Sequence, residues 1–136
     1  MKFLDTNILL YALGADQYEG KAAIAREIMG AGDVAFSIQV FQEFYVQATH
    51  SRRNDPLSHA EAAELIEGLS QCPVQVNDLT VFRAALGIKS RYQTSFWEAS
   101  ILAAAQTLGC KVVLSEDLSH GQRYDRVKVE NPFASC

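Results

Sequence analysis

Apolar and polar residues follow one another along this chain in blocks that switch between strand and helix periodicity. Met1-Lys2-Phe3-Leu4 reads as a short buried strand that stops at Asp5, and Ile8-Leu9-Leu10-Tyr11 reads as helix. Over residues 18–30, Ala22, Ala23, Ile24, Ile28 and Met29 recur at helical spacing, and Gly30-Ala31-Gly32 stops that helix. Val34-Ala35-Phe36 predicts a second strand, with Ser37 placed to cap a helix over 38–50. Arg52-Arg53-Asn54-Asp55-Pro56 is the clearest loop. Ser58-His59-Ala60-Glu61 then reads as a capping box, opening a helix that turns Ala62, Leu65, Ile66 and Leu69 inward. Val74-Gln75-Val76 predicts a short strand, residues 79–90 a helix, and 96–108 another helix with Gly109 just past its end. Strands follow at Lys111-Val112-Val113-Leu114-Ser115 and at Val127-Lys128-Val129. Strands alternating with helices predict an α/β fold, a three-layer α/β/α sandwich around a central parallel sheet.

Composition narrows the class. The 136 residues suit one domain spanning 1–136, and 49% apolar with 21% charged residues excludes a disordered chain. The longest nearly apolar stretch, Ala99 to Ala105, is far shorter than the roughly 18 residues needed to span a bilayer, so no membrane role is expected. Asp5 interrupts the place where the apolar core of a signal peptide would run. Cys72, Cys110 and Cys136 are odd in number and lack CxxC spacing, which points to a reducing cytoplasm and away from a thiolate zinc site. His50, His59 and His120 show no metal-binding spacing either, so any metal would be held by oxygen. Charge is uneven. Residues 1–82 carry five Lys/Arg against eleven Asp/Glu, whereas 83–128 carry seven against four, leaving room for a basic patch on an acidic body.

Several short motifs fail on chemistry. Between Gly14 and Lys21 the spacing is one residue too long for a phosphate loop, and Ala22 replaces its Ser/Thr. Gly30-Ala31-Gly32 follows a helix and lacks the third glycine of a dinucleotide fingerprint. Asp5-Thr6-Asn7 matches an aspartyl-phosphate phosphatase only at its first position, with Asn7 where the general acid belongs.

Four acids remain. In open parallel sheets the ligand crevice lies beyond the carboxyl ends of the strands. Asp5 ends the first strand, Glu43 lies six residues into the helix after the second, Glu98 sits in the first turn of the helix at 96–108, and Asp117 follows the strand ending at Ser115. Carboxylates that converge repel one another unless a hard divalent cation with oxygen ligands holds them together. Each also has an ordinary explanation. Asp5 and Asn7 can cap a helix, Glu43 can lie on a solvated face, Ser95-Phe96-Trp97-Glu98 is itself a capping box, and Asp117 can belong to a turn.

Taken together, Phe3-Leu4-Asp5-Thr6-Asn7-Ile8-Leu9-Leu10-Tyr11, Gln42-Glu43-Phe44, Ser95-Phe96-Trp97-Glu98-Ala99 and Leu114-Ser115-Glu116-Asp117-Leu118 resemble the four acidic motifs of PIN-domain ribonucleases, in order along the whole chain. The resemblance is greatest to VapC-type toxins of bacterial type II toxin–antitoxin pairs. It implies a PIN-like fold and a Mg²⁺- or Mn²⁺-dependent endoribonuclease that leaves 5′-phosphate and 3′-hydroxyl ends. It makes Asp5, Glu43, Glu98 and Asp117 the catalytic, metal-binding acids. Asn7, Ser115 and Thr6 become groups that hold the carboxylates and water. It also implies a cognate antitoxin and a homodimer. Glu98 departs from the commoner aspartate. Arg123 and Arg126 follow the Asp117 motif closely and are the basic residues expected to approach RNA phosphates. The competing readings are a non-catalytic PIN-fold domain that binds RNA or protein, and an α/β phosphatase, which Asn7 disfavours.

Overall fold

The computed structural model describes residues 1–14 and 19–134. Its strands are β1 (Lys2–Leu4), β2 (Val34–Ser37), β3 (Val74–Gln75), β4 (Val112–Leu114), β5 (Arg123–Tyr124) and β6 (Val127–Glu130). Its helices are α1 (Thr6–Leu13), α2 (Glu19–Ala31), α3 (Ile38–Ala48), α4 (His59–Leu69), α5 (Leu79–Tyr92) and α6 (Phe96–Thr107). The strands form one sheet in the order β3-β2-β1-β4-β6-β5. Phe3, Leu4, Ala35, Phe36, Val113, Val127 and Val129 are fully buried, which is why these strands read as apolar runs. Helix α6 contacts β2, β3, β4 and β6 and carries α5 against its outer side, while α1 packs against α2 and α3, so helices flank the sheet in three layers.

Helix α6 is buried continuously from Ala99 to Ala105. Its alanines let the sheet on one side and α5 on the other approach closely, so no polar stripe is needed. It ends where Gly109, at φ +81°, donates to the Gln106 carbonyl at 3.0 Å and Cys110 donates to the Ala105 carbonyl at 2.9 Å. That pair of bonds requires a left-handed residue, and glycine takes the conformation without strain.

The parallel sheet expected from the sequence holds for β1 through β4 and for β6, but β5 runs antiparallel to β6. A two-residue strand offers no periodicity to read. The two-residue turn that folds it back onto β6 is held, at Asp125, by side chains from far along the chain. Tyr92 Oη donates to Asp125 Oδ1 at 3.0 Å and accepts from the Asp125 N–H at 2.8 Å, and the Arg91 guanidinium pairs with the same carboxylate. Cys136, the predicted helix start at 18 and the middle of the Gly14–Lys21 stretch lie outside the described residues. Among the described residues no helix is long and apolar enough to cross a membrane.

Candidate functional site

Between β1 and β4 the strand order reverses, because the chain leaves β1 toward β2 and β3 and later returns to β4 on its other side. Such a reversal opens a crevice at the carboxyl ends of the strands. The Asp5 N–H donates to the Leu114 carbonyl at 3.0 Å, which extends the β1–β4 pairing one residue and sets Asp5 beside Ser115. From there the chain turns directly into α1, with Asp5 as N-cap.

Each Asp5 oxygen is engaged. Oδ1 accepts from the Thr6 N–H at 2.8 Å and Oδ2 from Ser115 Oγ at 2.7 Å. The fully buried Ser115 hydroxyl in turn accepts from the N–H groups of Asp117 (3.1 Å) and Leu118 (3.4 Å), so one serine fixes Asp5 and the Asp117 turn together. Asn7 ties the same turn from α1. Its Nδ2 donates to Asp117 Oδ2 at 3.1 Å, and its Oδ1 accepts from the Glu116 N–H at 3.3 Å. From α3, Glu43 Oε1 accepts from Thr6 Oγ1 at 3.2 Å and from Gln39 Nε2 at 3.4 Å. Glu98 enters from the first turn of α6. Ser95 caps that helix by accepting from the Glu98 N–H at 3.1 Å, but among the described residues the Glu98 carboxylate makes no return bond to Ser95. The capping box read from the sequence is therefore half formed, and the carboxylate lines the cleft instead.

Asp5, Glu43, Glu98 and Asp117 thus share one cleft of about 140 Å³, floored by Leu10, Ile101 and Leu118, and no lysine, arginine or histidine is among its lining residues. Burial pushes the Asp5 carboxyl up to about 6. The Ser115 and Thr6 bonds hold it back, while the charges of Glu43 and Asp117 push it further up. An ionised Asp5 is therefore short of positive charge. Among the described residues no three acidic, histidine or cysteine side chains are yet gathered closely enough to hold an ion as they stand. The donor chemistry nevertheless fits a hard divalent cation, since every charged group is a carboxylate and no side-chain cation competes for them.

The neighbouring acid takes a different part. Burial pushes the Glu116 carboxyl up, but bonds from Lys21 Nζ and Tyr11 Oη, both at 2.6 Å, bring it below its ordinary value. This cluster pins the Asp117 turn to α1 and α2. Sequence reasoning missed it, and it missed Gln39, whose Nε2 also donates to the Trp97 carbonyl at 3.3 Å and so joins α3 to α6. The available signal was the i, i+4 spacing of Gln39 and Glu43 on one helix face. Arg123 and Arg126 are exposed but are not brought to the acids. By register Arg123 lies level with Lys128, Val112 and Lys2, and Arg126 precedes β6, so both stand at the amino end of the sheet beside Lys111. Nearness to Asp117 in sequence is undone when the chain runs back along the sheet edge.

Comparison with known proteins bears on the whole chain. By sequence, no curated protein matches. By structure, it is similar to a toxin–antitoxin complex from Klebsiella pneumoniae, at 19% identity and TM-score 0.70 over 97% of this chain and 98% of that one. It is similar to VapC20 of Mycobacterium tuberculosis, described as a sarcin-ricin loop cleaving toxin, at 19% identity and TM-score 0.67 over 86% and 92%. It is also similar to a chain of DNA-bound VapBC from Salmonella typhimurium, at 18% identity and TM-score 0.68 over 96% and 97%. Such likenesses establish the fold. The sequence pattern of the PIN domain, moreover, matches residues 2–126 and so runs from β1 through the turn before β6. This chain belongs to the PIN-domain family.

Proposed function

We propose that this PIN domain is a Mg²⁺- or Mn²⁺-dependent endoribonuclease, the toxin of a toxin–antitoxin pair. The observation that carries the reading is the convergence of four carboxylates on one cleft without a basic side chain among its lining residues. Asp5, Glu43, Glu98 and Asp117 would hold the cation, which when bound supplies charge neutralisation and orientation for a phosphodiester. The chain's own groups prepare the site. Ser115 and the Thr6 N–H hold Asp5, Asn7 holds the Asp117 turn, and Thr6 Oγ1 restrains Glu43. Asn7 spends its carboxamide on Asp117 and Glu116, which leaves no acid at that position for phosphatase chemistry.

An antitoxin partner is supported by the structural neighbours, several of which are toxin–antitoxin complexes. Leu79, Phe82 and Leu86 form an exposed apolar face on α5, open to such a partner or to a second copy in a homodimer. Incubating the purified protein with single-stranded RNA in Mg²⁺, and then in EDTA, tests the reading. Cleavage with Mg²⁺ and none with EDTA or with Asp5→Asn is the expected result. Undiminished cleavage in EDTA contradicts the metal, and no cleavage under either condition favours the non-catalytic alternative.

A further inference from the structure

We infer that Trp97 is the stacking platform for an unpaired nucleobase flanking the phosphodiester held in the acidic cleft. The inference rests on the ribonuclease reading but uses observations of its own. Trp97, the only tryptophan in the chain, is 66% exposed in the first turn of α6. Its ring is not loose. It stands edge to face on Phe96, with centroids 5.3 Å apart, and Phe96 packs on Phe82 at 5.7 Å. Beneath it, Gln39 is 5% exposed and donates through Nε2 both to the Trp97 carbonyl and to Glu43 Oε1. One buried carboxamide therefore ties the backbone that carries the indole to an acid of the cleft.

Gln39, Glu43, Gln47 and Trp97 line the acidic cleft and also an adjoining shallow groove, where Gln42 and Val46 complete the wall. The groove continues the cleft and, past Glu43, carries no charge. That chemistry suits a flat, neutral ring with hydrogen-bonding edges. It does not suit a phosphate, which the carboxylates repel. A protein with a net charge of −4 cannot draw RNA by its overall field, so a neutral contact beside the cleft matters more than it would in a basic protein. Base stacking on an aromatic side chain supplies such affinity and tolerates any sequence.

The sole tryptophan is also the reporter. In EDTA, a mixed-sequence single-stranded oligoribonucleotide should quench its fluorescence. An abasic oligomer with the same sugar–phosphate backbone should not, nor should the same sequence as a duplex. In Mg²⁺, Trp97→Leu should raise the KM for single-stranded RNA about tenfold with a smaller change in kcat, and Trp97→Phe should recover most of the loss. Quenching without cleavage supports the platform and overturns the ribonuclease reading. Cleavage without quenching, or equal quenching by the abasic oligomer, overturns the platform and leaves the ribonuclease reading in place. An emission that follows protein concentration and ignores RNA assigns the indole to an interface between copies and also overturns the platform.

Discussion

Two helices in this protein begin with the same four-residue signature, Ser-x-x-Glu, and put it to different use. At α4, Ser58 accepts from the Glu61 N–H at 3.1 Å and the Glu61 carboxylate accepts from the Ser58 N–H at 2.9 Å, closing the box at an exposed loop. Those bonds, the backbone one foremost, hold the Glu61 carboxyl below its ordinary value. At α6 the serine bond has the same length, but the half-buried glutamate is withheld from the box and faces three other carboxylates. Position in the fold makes the difference. The start of α4 follows a surface loop, whereas the start of α6 opens onto the crevice at the strand ends. A capping signature specifies where a helix begins. It does not specify what its glutamate will face.

The largest effect separates the two glutamates by activity. Glu98→Gln should lower RNA cleavage about a thousandfold, since an interaction worth several kcal/mol in the transition state is removed, while thermal stability changes little. Glu61→Gln should leave cleavage at the wild-type rate. Equal losses in both variants, or in neither, would break the contrast.

Next comes stability at the buried acid. Asp5 has its carboxyl raised from 3.8 to about 6, so the fold favours its neutral form. Charging it therefore costs stability as pH rises from about 4 to about 6, and the cost is constant above that. Without divalent cations at pH 7, Asp5→Asn should be more stable than wild type by up to about 3 kcal/mol, a gain reduced by the lost acceptor for Ser115 and fading as pH falls through this window. Asparagine caps a helix as well as aspartate does, so the cap itself is kept. Added Mg²⁺ should narrow the gap, because only the intact site binds it. Denaturant melts across pH measure this directly, and a wild type more stable than the variant at pH 7 in EDTA contradicts it.

The smallest effect concerns the caps. Ser58→Ala and Ser95→Ala should each cost about 1 kcal/mol, with Ser58→Ala somewhat worse because it disrupts a reciprocal pair. Chemical denaturation of both resolves the order.

What the sequence made legible follows from how local each signal is. Helix starts at Ser37, Ser58, Asp78 and Ser95, and the stop at Gly109, are set within a few residues of chain and sit where the pattern puts them or close by. The gathering of Asp5, Glu43, Glu98 and Asp117 could be approached only through strand ends and family likeness, because the pairs that hold it, such as Ser115 with Asp5, are separated by more than a hundred residues. Strand β5 was illegible because it is two residues long and the turn at Asp125 that returns it to β6 is held by Tyr92 and Arg91 on α5. That Arg123 and Arg126 lie away from the cleft was illegible for a related reason, since sequence proximity to Asp117 says nothing about which end of the sheet the chain reaches next. Gln39 left only its i, i+4 spacing to Glu43 as a trace, because its bond to the Trp97 carbonyl depends on two helices meeting.

On the proposed function, the carboxylates in the cleft form a divalent-cation site, with Glu98 a member and Glu61 not. Calorimetric titration of Mn²⁺ into the wild type, Asp5→Asn, Glu98→Gln and Glu61→Gln tests it most directly. Wild type and Glu61→Gln should bind saturably, Glu98→Gln more weakly and Asp5→Asn not at all. Absence of binding by the wild type, or binding of equal strength in Asp5→Asn, would contradict it.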